Sequence, residues 1–233
     1  MMQINDVISH FSPLDFSALT VLCLALIGIG WRIEHPGAQV SVSVLMAQYR
    51  REWMQQMLFR DPRIFDAQAL SNLRQGTAFF ASATMIALGG ALALIGNAEQ
   101  IQGIARDLSL DQTPTAVWEI KLLITALLLA NAFLKFVWSN RLFGYCMVVM
   151  AAVPLSPTDP VSISRARKAA EINITAARSF NRGLRAIYFA MASLAFMLGP
   201  VPLMLAVGIT VLILWRREFA SQSRSVLLHP PEG

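Results

Sequence analysis

Residues 195–207 read AFMLGPVPLMLAV, an apolar run broken by one glycine and two prolines. Whether the chain crosses a membrane here once, in a kinked helix, or turns and comes back decides the architecture and the side on which the C-terminus lies. Proline inside a helix removes a hydrogen bond and clashes with the preceding turn, but in the first turn it costs little. Both readings are open to a helical chain, so the flanking sequence has to choose.

The run sits inside Ala186–Trp215. That block would be about 45 Å long as one helix, against a hydrocarbon core of about 30 Å. A single span would tilt strongly or protrude, and would leave Arg216, Arg217 and Arg224 on the outer side. A turn at Gly199-Pro200 ends one arm on a glycine and places Pro200 and Pro202 in the first turn of the next. It also returns Arg216 and Arg217 to the compartment of Arg182 and Arg185. The arms are short for full crossings, so the turn implies a re-entrant hairpin or a thinned bilayer. The charge favours the hairpin, and the kinked span stays open.

Composition sets the class. Hydrophobic residues make up 55% of the 233 and charged residues 14%, and the apolar residues come in long blocks at Leu14–Gly30, Thr77–Gly96 and Val117–Val137. A spanning helix needs roughly 20 such residues. The alternation of a barrel strand is missing, and only helices or closed barrels satisfy their backbone in lipid. The expected fold is an all-α, polytopic helical membrane protein with three clear transmembrane helices and a proline-broken fourth block. One membrane domain covers 1–233, with spans at about 14–32, 77–97, 117–139 and 186–215. A cytoplasmic amphipathic hairpin falls at about 40–76, and a cytoplasmic basic helix at about 162–185. The first block has neither a basic leader nor a small-residue cleavage site, and reads as a retained helix. Cys23 and Cys146 both fall in apolar segments and read as packing residues, not a disulfide.

The net charge is +5, carried mostly by arginine. No Lys or Arg lies in residues 1–13, six Arg lie in 32–76, one in 97–116, and seven basic residues in 139–185. Basic loops stay in the cytoplasm. This puts the N-terminus and the acidic loop NAEQIQGIARDLSLDQTP outside an inner membrane, with the two basic segments inside. Such a surface suits anionic lipid headgroups. No nucleic-acid-binding motif is present.

Within Val42–Arg60, apolar residues recur at Val42, Leu45, Met46, Tyr49, Trp53, Met57 and Leu58, one helical face with Arg50, Arg51 and Glu52 turned largely away. Asp61-Pro62 then reads as an N-cap followed by proline at the first helical position. In the second span Ala83, Ala87 and Ala91, with Gly89 and Gly90, form a small-residue face that suits packing within the monomer as well as dimerisation. The third span is the most polar. Lys121, Thr125, Asn131 and Lys135 lie near one stripe, readable as snorkelling lysines or as an internal polar site. After Trp138 the piece SNRLFGYCMVVMAAVP either extends that helix or lies at the inner interface, ending at Pro154. In Ser164–Arg185, Lys168, Glu171, Thr175, Arg178, Arg182 and Arg185 line one face, on which Arg178, Arg182 and Arg185 make a cationic ridge expected to face solvent or headgroups. Ala169, Ile172, Ala176 and Phe180 lie on another face.

Chemistry is thin by comparison. His10, His35 and His229 lack metal-ligand spacing. There is no phosphate loop, no HExxH and no nucleophile with a His and acid partner, so neither a cofactor nor an enzymatic activity is expected. Asp61, Asp66 and Glu119 read as capping or ion-pairing residues. The candidate lipid or partner site is Lys135, Trp138, Arg141, Arg178, Asn181, Arg182, Arg185, Arg216 and Arg217. The candidate transport stripe is Lys121, Thr125, Asn131 and Lys135.

Several blocks together resemble the membrane family called domain of unknown function 599: RREWMQQMLFRDPRIFDAQALSNL, FFASATM, WEIKLLI, FLKFVWSNRLFGYC, FNRGLRAIYFAMASLAF and RREF. The resemblance runs from about Trp31 to Ser221. It implies a multi-span membrane protein and supplies no activity and no catalytic residues. The expected function is that of a structural or accessory membrane protein. It would bind anionic lipid, a membrane-protein partner or a second copy through its Arg surface. The alternative is a small-solute transporter or channel using the polar stripe and the broken last block.

Overall fold

The computed structural model describes residues 9–99 and 114–229, and every regular element in them is helical. Most of the acidic loop expected outside the membrane, residues 100–113, lies outside the described residues. The helices are α1 (Pro13–Glu34), α2 (Val42–Gln56), α3 (Ile64–Gly96), α4 (Thr115–Ala151), α5 (Pro160–Ser193), α6 (Pro200–Phe219) and the short α7 (Gln222–Leu228). Three of them, α1, α3 and α4, are long and apolar enough to cross a membrane, which points to a membrane protein. Their outward faces carry Leu24, Ile27, Phe79, Ile86, Leu127 and Leu134, all well exposed.

Local sequence explains the helix starts. Ser12 and Asp15 form a reciprocal capping box ahead of Pro13. Ser41 caps α2 by accepting from Val44 N (3.2 Å), and its hydroxyl donates to Ile33 O (2.7 Å), joining the end of α1 to the start of α2. Asp159 caps α5, accepting from Val161 N at 2.7 Å. The start of α3 differs from the expectation. The helix begins at Ile64, beyond Asp61 and Pro62, with Arg63 at the N-cap and no side-chain cap. The carboxylate that complements the first turn is Asp66, fully buried and accepting from Trp53 Nε1 (2.6 Å) and from Arg60.

The helix α4 continues unbroken to Ala151, so the piece after Trp138 extends the third span. It runs antiparallel to α5, and four contacts pin the register: Thr125 with Ser193 (2.7 Å), Ser179 Oγ to Lys135 O (2.9 Å), Ser139 Oγ to Ala176 O (2.7 Å) and Cys146 Sγ to Ala169 O (3.3 Å). Close approach needs small residues, which α5 supplies at Ala169, Ala176, Gly183, Ala186 and Ala190, all buried. At Gly183 a Cβ would lie 2.8 Å from the Phe136 ring, which packs with Phe80 and Phe180. The small-residue face of the second span, suited to packing within the monomer or to dimerisation, is buried within the monomer at Ala91 alone. Ala83 and Ala87 are exposed, and no atom lies within 4 Å of a Cβ placed on Gly89 or Gly90. The α4–α5 contact goes through α5's own small side chains instead.

Two main cores result. One joins α2, the start of α3, the end of α4 and the start of α5 around Met54, Met57, Leu70, Phe143 and Cys146. The other joins α1, the end of α5 and α6 around Ile33, Phe189, Phe196, Leu203 and Val207. Between α5 and α6 the chain passes through a 3-10 turn, Leu194–Leu198, to Gly199, whose φ of 121° suits only glycine. It then doubles back, so that Arg217 donates to the Tyr188 hydroxyl at 3.3 Å.

Candidate functional site: two arginine-lined cavities on α5

The handover from α1 to α2 and the return of α6 bring charged side chains to neighbouring turns of α5. A lateral groove of about 350 Å³ lies between α1, α4 and α5. Its apolar wall is Leu26, Ile27, Gly30 and Trp31, and its polar residues are Glu34, His35, Asn131, Lys135, Arg182 and Arg185. Glu34 is the hub. Arg182 Nε donates to its two carboxylate oxygens at 2.9 and 3.1 Å, and Arg182 Nη2 and Arg185 Nη2 also bond to it. Arg185 is only 6% exposed, lodged beside Gly30. Buried charge is tolerated when paired and hydrogen-bonded, as here.

The second cavity, a cleft of about 320 Å³, lies between α2, α5 and the α6–α7 corner. Arg50, Arg178, Asn181, Arg217, Glu218 and Ser43 line it. Glu218 is buried and already engaged, accepting from Ser43 N (3.0 Å) and Ser43 Oγ (3.1 Å) in the first turn of α2. Asn181 Nδ2 donates to the same hydroxyl at 3.4 Å. Among the described residues Arg50 bonds only to the Asn173 side-chain oxygen. Among the described residues neither Arg50, Arg178 nor Arg217 forms an ion pair. Burial lowers the pKa of the Arg50 guanidinium from its ordinary value, because a desolvated cation is less stable than a solvated one.

The residues read from sequence divide between these places. Asn131, Lys135, Arg182 and Arg185 meet in the groove, and Arg178, Asn181 and Arg217 in the cleft. Trp138, Arg141 and Arg216 line neither cavity; Arg141 bonds to Tyr145 along the exposed side of α4. The transport stripe is split. Thr125 is spent on Ser193, and Lys121 sits over the Phe196 ring at 4.9 Å, while only Asn131 and Lys135 reach the groove. The α5 face carrying the ridge expected to be solvated is also divided. Glu171 pairs with Arg51 (2.7 Å), Arg178 faces the cleft, and Arg182 and Arg185 bind Glu34.

A further correction concerns α2. The face read from sequence is buried at Leu45 and, just past the helix, at Met57 and Leu58; Ala47 and Met54 are buried beside it, and Arg50 reaches Asn173 of α5. Met46 and Tyr49, expected inside, are exposed. The buried arc extends beyond that face because α2 rests on α5, where Asn173 offers an amide oxygen to Arg50. Sequence reading overlooked Glu34, Glu218, Ser43, Arg50 and Asn173. A usable signal existed for Glu34 alone: an acid ending the first apolar block, in a chain with a long arginine ridge.

Among the described residues no group of three or more His, Cys, Asp or Glu side chains could hold a metal ion. No curated protein and no solved structure matches the chain. A family model does match, over residues 17–223, and the chain belongs to the family it describes, Protein of unknown function, DUF599.

Proposed function

We propose that this is an accessory protein of the inner membrane that holds an anionic lipid headgroup in the lateral groove. The observation that carries this reading is the composition of the groove: Lys135, Arg182 and Arg185 line it with one carboxylate, Glu34, beside an apolar wall of Leu26, Ile27 and Trp31. With Glu34 spent on two arginines, the set retains positive charge. A phosphate beside Lys135 and the exposed edge of Arg182 would have its acyl chains against α1. Lysine and arginine at the end of apolar spans attract anionic headgroups by about 1 kcal/mol each.

The same reading orients the chain with its N-terminus outside and its basic segments in the cytoplasm, with α2 and the first half of α5 as amphipathic elements on that face. The block 186–215 is then a re-entrant pair, a reading supported by the contact of Arg217 with Tyr188. A C-terminal reporter should be active only in the cytoplasm; activity only in the periplasm would refute this orientation.

The lipid reading is tested by native mass spectrometry of protein taken from mixed anionic and zwitterionic membranes. Anionic lipid should be retained by the wild type and lost from Lys135→Ala and Arg182→Ala. Equal retention of both lipid classes, or unchanged retention in the variants, would sink it. Co-purification of a stoichiometric protein subunit instead would move the assignment from lipid to partner binding. The transporter reading has less support, because Thr125 is committed to a buried hydrogen bond and not to a continuous polar lining.

A further inference from the structure

The cleft beside Arg50 is distinct from the groove. None of its lining residues comes from α1, α3 or α4, the three helices apolar enough to cross a membrane; they come from α2, α5 and the α6–α7 corner. A volume of about 320 Å³ is at the lower end of small-molecule sites. Three guanidinium groups line it, without an ion pair among the described residues. The one carboxylate lining it, Glu218, is held at the start of α2 by both the amide and the hydroxyl of Ser43.

We propose that this cleft binds a phosphate monoester, with Arg50 at its inner end, Arg178 and Arg217 at its rim, and the Asn181 amide beside them. Three facts of chemistry converge. Guanidinium forks match phosphate oxygens in pairs and form charge-assisted bonds. A doubly charged phosphate matches three unpaired arginines offset by one carboxylate better than a monocarboxylate does. A partly buried arginine whose one hydrogen-bond partner among the described residues is an amide is an arrangement that an incoming anion relieves. Because the cleft is built apart from the apolar spanning helices, the phosphate would come from a soluble cytoplasmic ester. A phosphomonoester lipid headgroup carries the same chemistry and is the other source.

The test is calorimetric titration of the full chain in detergent with inorganic phosphate and with glycerol phosphate, beside a flotation assay on vesicles containing phosphatidate. Binding of the soluble ligands should weaken at least about tenfold in Arg178→Ala and in Arg217→Ala. Both side chains are exposed, so these variants should fold. Arg50→Lys, which keeps the charge but loses the fork, should weaken binding while leaving thermal unfolding near wild type. Lys135→Ala should bind phosphate as the wild type does, separating this site from the groove. Binding only to phosphatidate vesicles, with the same sensitivity at Arg178 and Arg217, would support the site and assign the lipid source. No binding of any of these ligands, or binding indifferent to both rim arginines, would overturn the proposal.

Discussion

In the groove, two arginines share Glu34, and one of them, Arg185, is almost wholly enclosed. In the cleft, a short distance along α5, Arg50, Arg178 and Arg217 line one cavity whose lining carboxylate, Glu218, is tied to Ser43. The first arrangement joins the end of α1 to α5 and contributes to the fold. The second leaves like charges together and contributes little to it. Arginine count alone does not identify a binding surface; what matters is which arginines the fold has already neutralised.

The sharpest way to break this comparison is Glu34→Gln. It leaves Arg185 buried without a charge partner, and loss of one member of a buried pair typically costs about 3–5 kcal/mol. Unfolding followed by near-ultraviolet circular dichroism should show the largest loss in the series. Adding Arg185→Met to Glu34→Gln should restore much of it. A Glu34→Gln protein as stable as wild type would mean that the groove is not the lock described here.

Next in size is Gly199→Ala. The φ of 121° excludes a side chain without strain, and alanine forced to positive φ costs more than about 1 kcal/mol. The return of α6 carries Arg217 and Glu218 to the cleft but contributes nothing to the groove. Phosphate binding should therefore fall while lipid retention persists. Equal damage to both would show that the cavities are one cooperative unit.

Much of the architecture was legible in the sequence because long apolar runs and prolines act locally. The three membrane-length helices, and the break at Gly199-Pro200, follow from residues adjacent in the chain. What could not be read depended on which helix lay opposite. Arg50 looks like a surface residue until α5 sets Asn173 against it, and Glu34 looks like a helix end until α5 delivers two arginines. The small residues show the same limit. Ala83, Ala87, Ala91, Gly89 and Gly90 have the pattern of a packing face, yet of these Ala91 alone is buried and α5 provides the face that packs against α4. Spacing reports that a face exists and says nothing of its partner.

Arg50→Met tests the cleft from the side of stability. The substitution removes a desolvated charge and one hydrogen bond to Asn173, opposing effects of similar size, and replacing a buried charge with an apolar side chain is often neutral or favourable. Stability should stay within about 1 kcal/mol of wild type, while phosphate binding is lost. A collapse like that of Glu34→Gln would place Arg50 with the structural arginines and dissolve the distinction between the cavities.

The smallest effect is expected at Arg51, the neighbour of Arg50 in sequence and its opposite in environment. Arg51 Nε meets Glu171 at 2.7 Å, and the bond raises the arginine pKa, but both side chains are about half exposed to solvent. Exposed pairs are screened by water and salt, and double-mutant cycles on such pairs give about 0.2–1 kcal/mol. Arg51→Ala should cost no more than that in a chemical unfolding titration, and the cost should shrink as salt is raised. It should leave phosphate binding unchanged, because Arg51 does not line the cleft. Two adjacent arginines would then differ in both readouts, Arg50 acting on the ligand and Arg51 weakly on the fold. A loss of phosphate binding in Arg51→Ala equal to that in Arg50→Met would mean that diffuse charge on α2, and not the built cleft, attracts the anion.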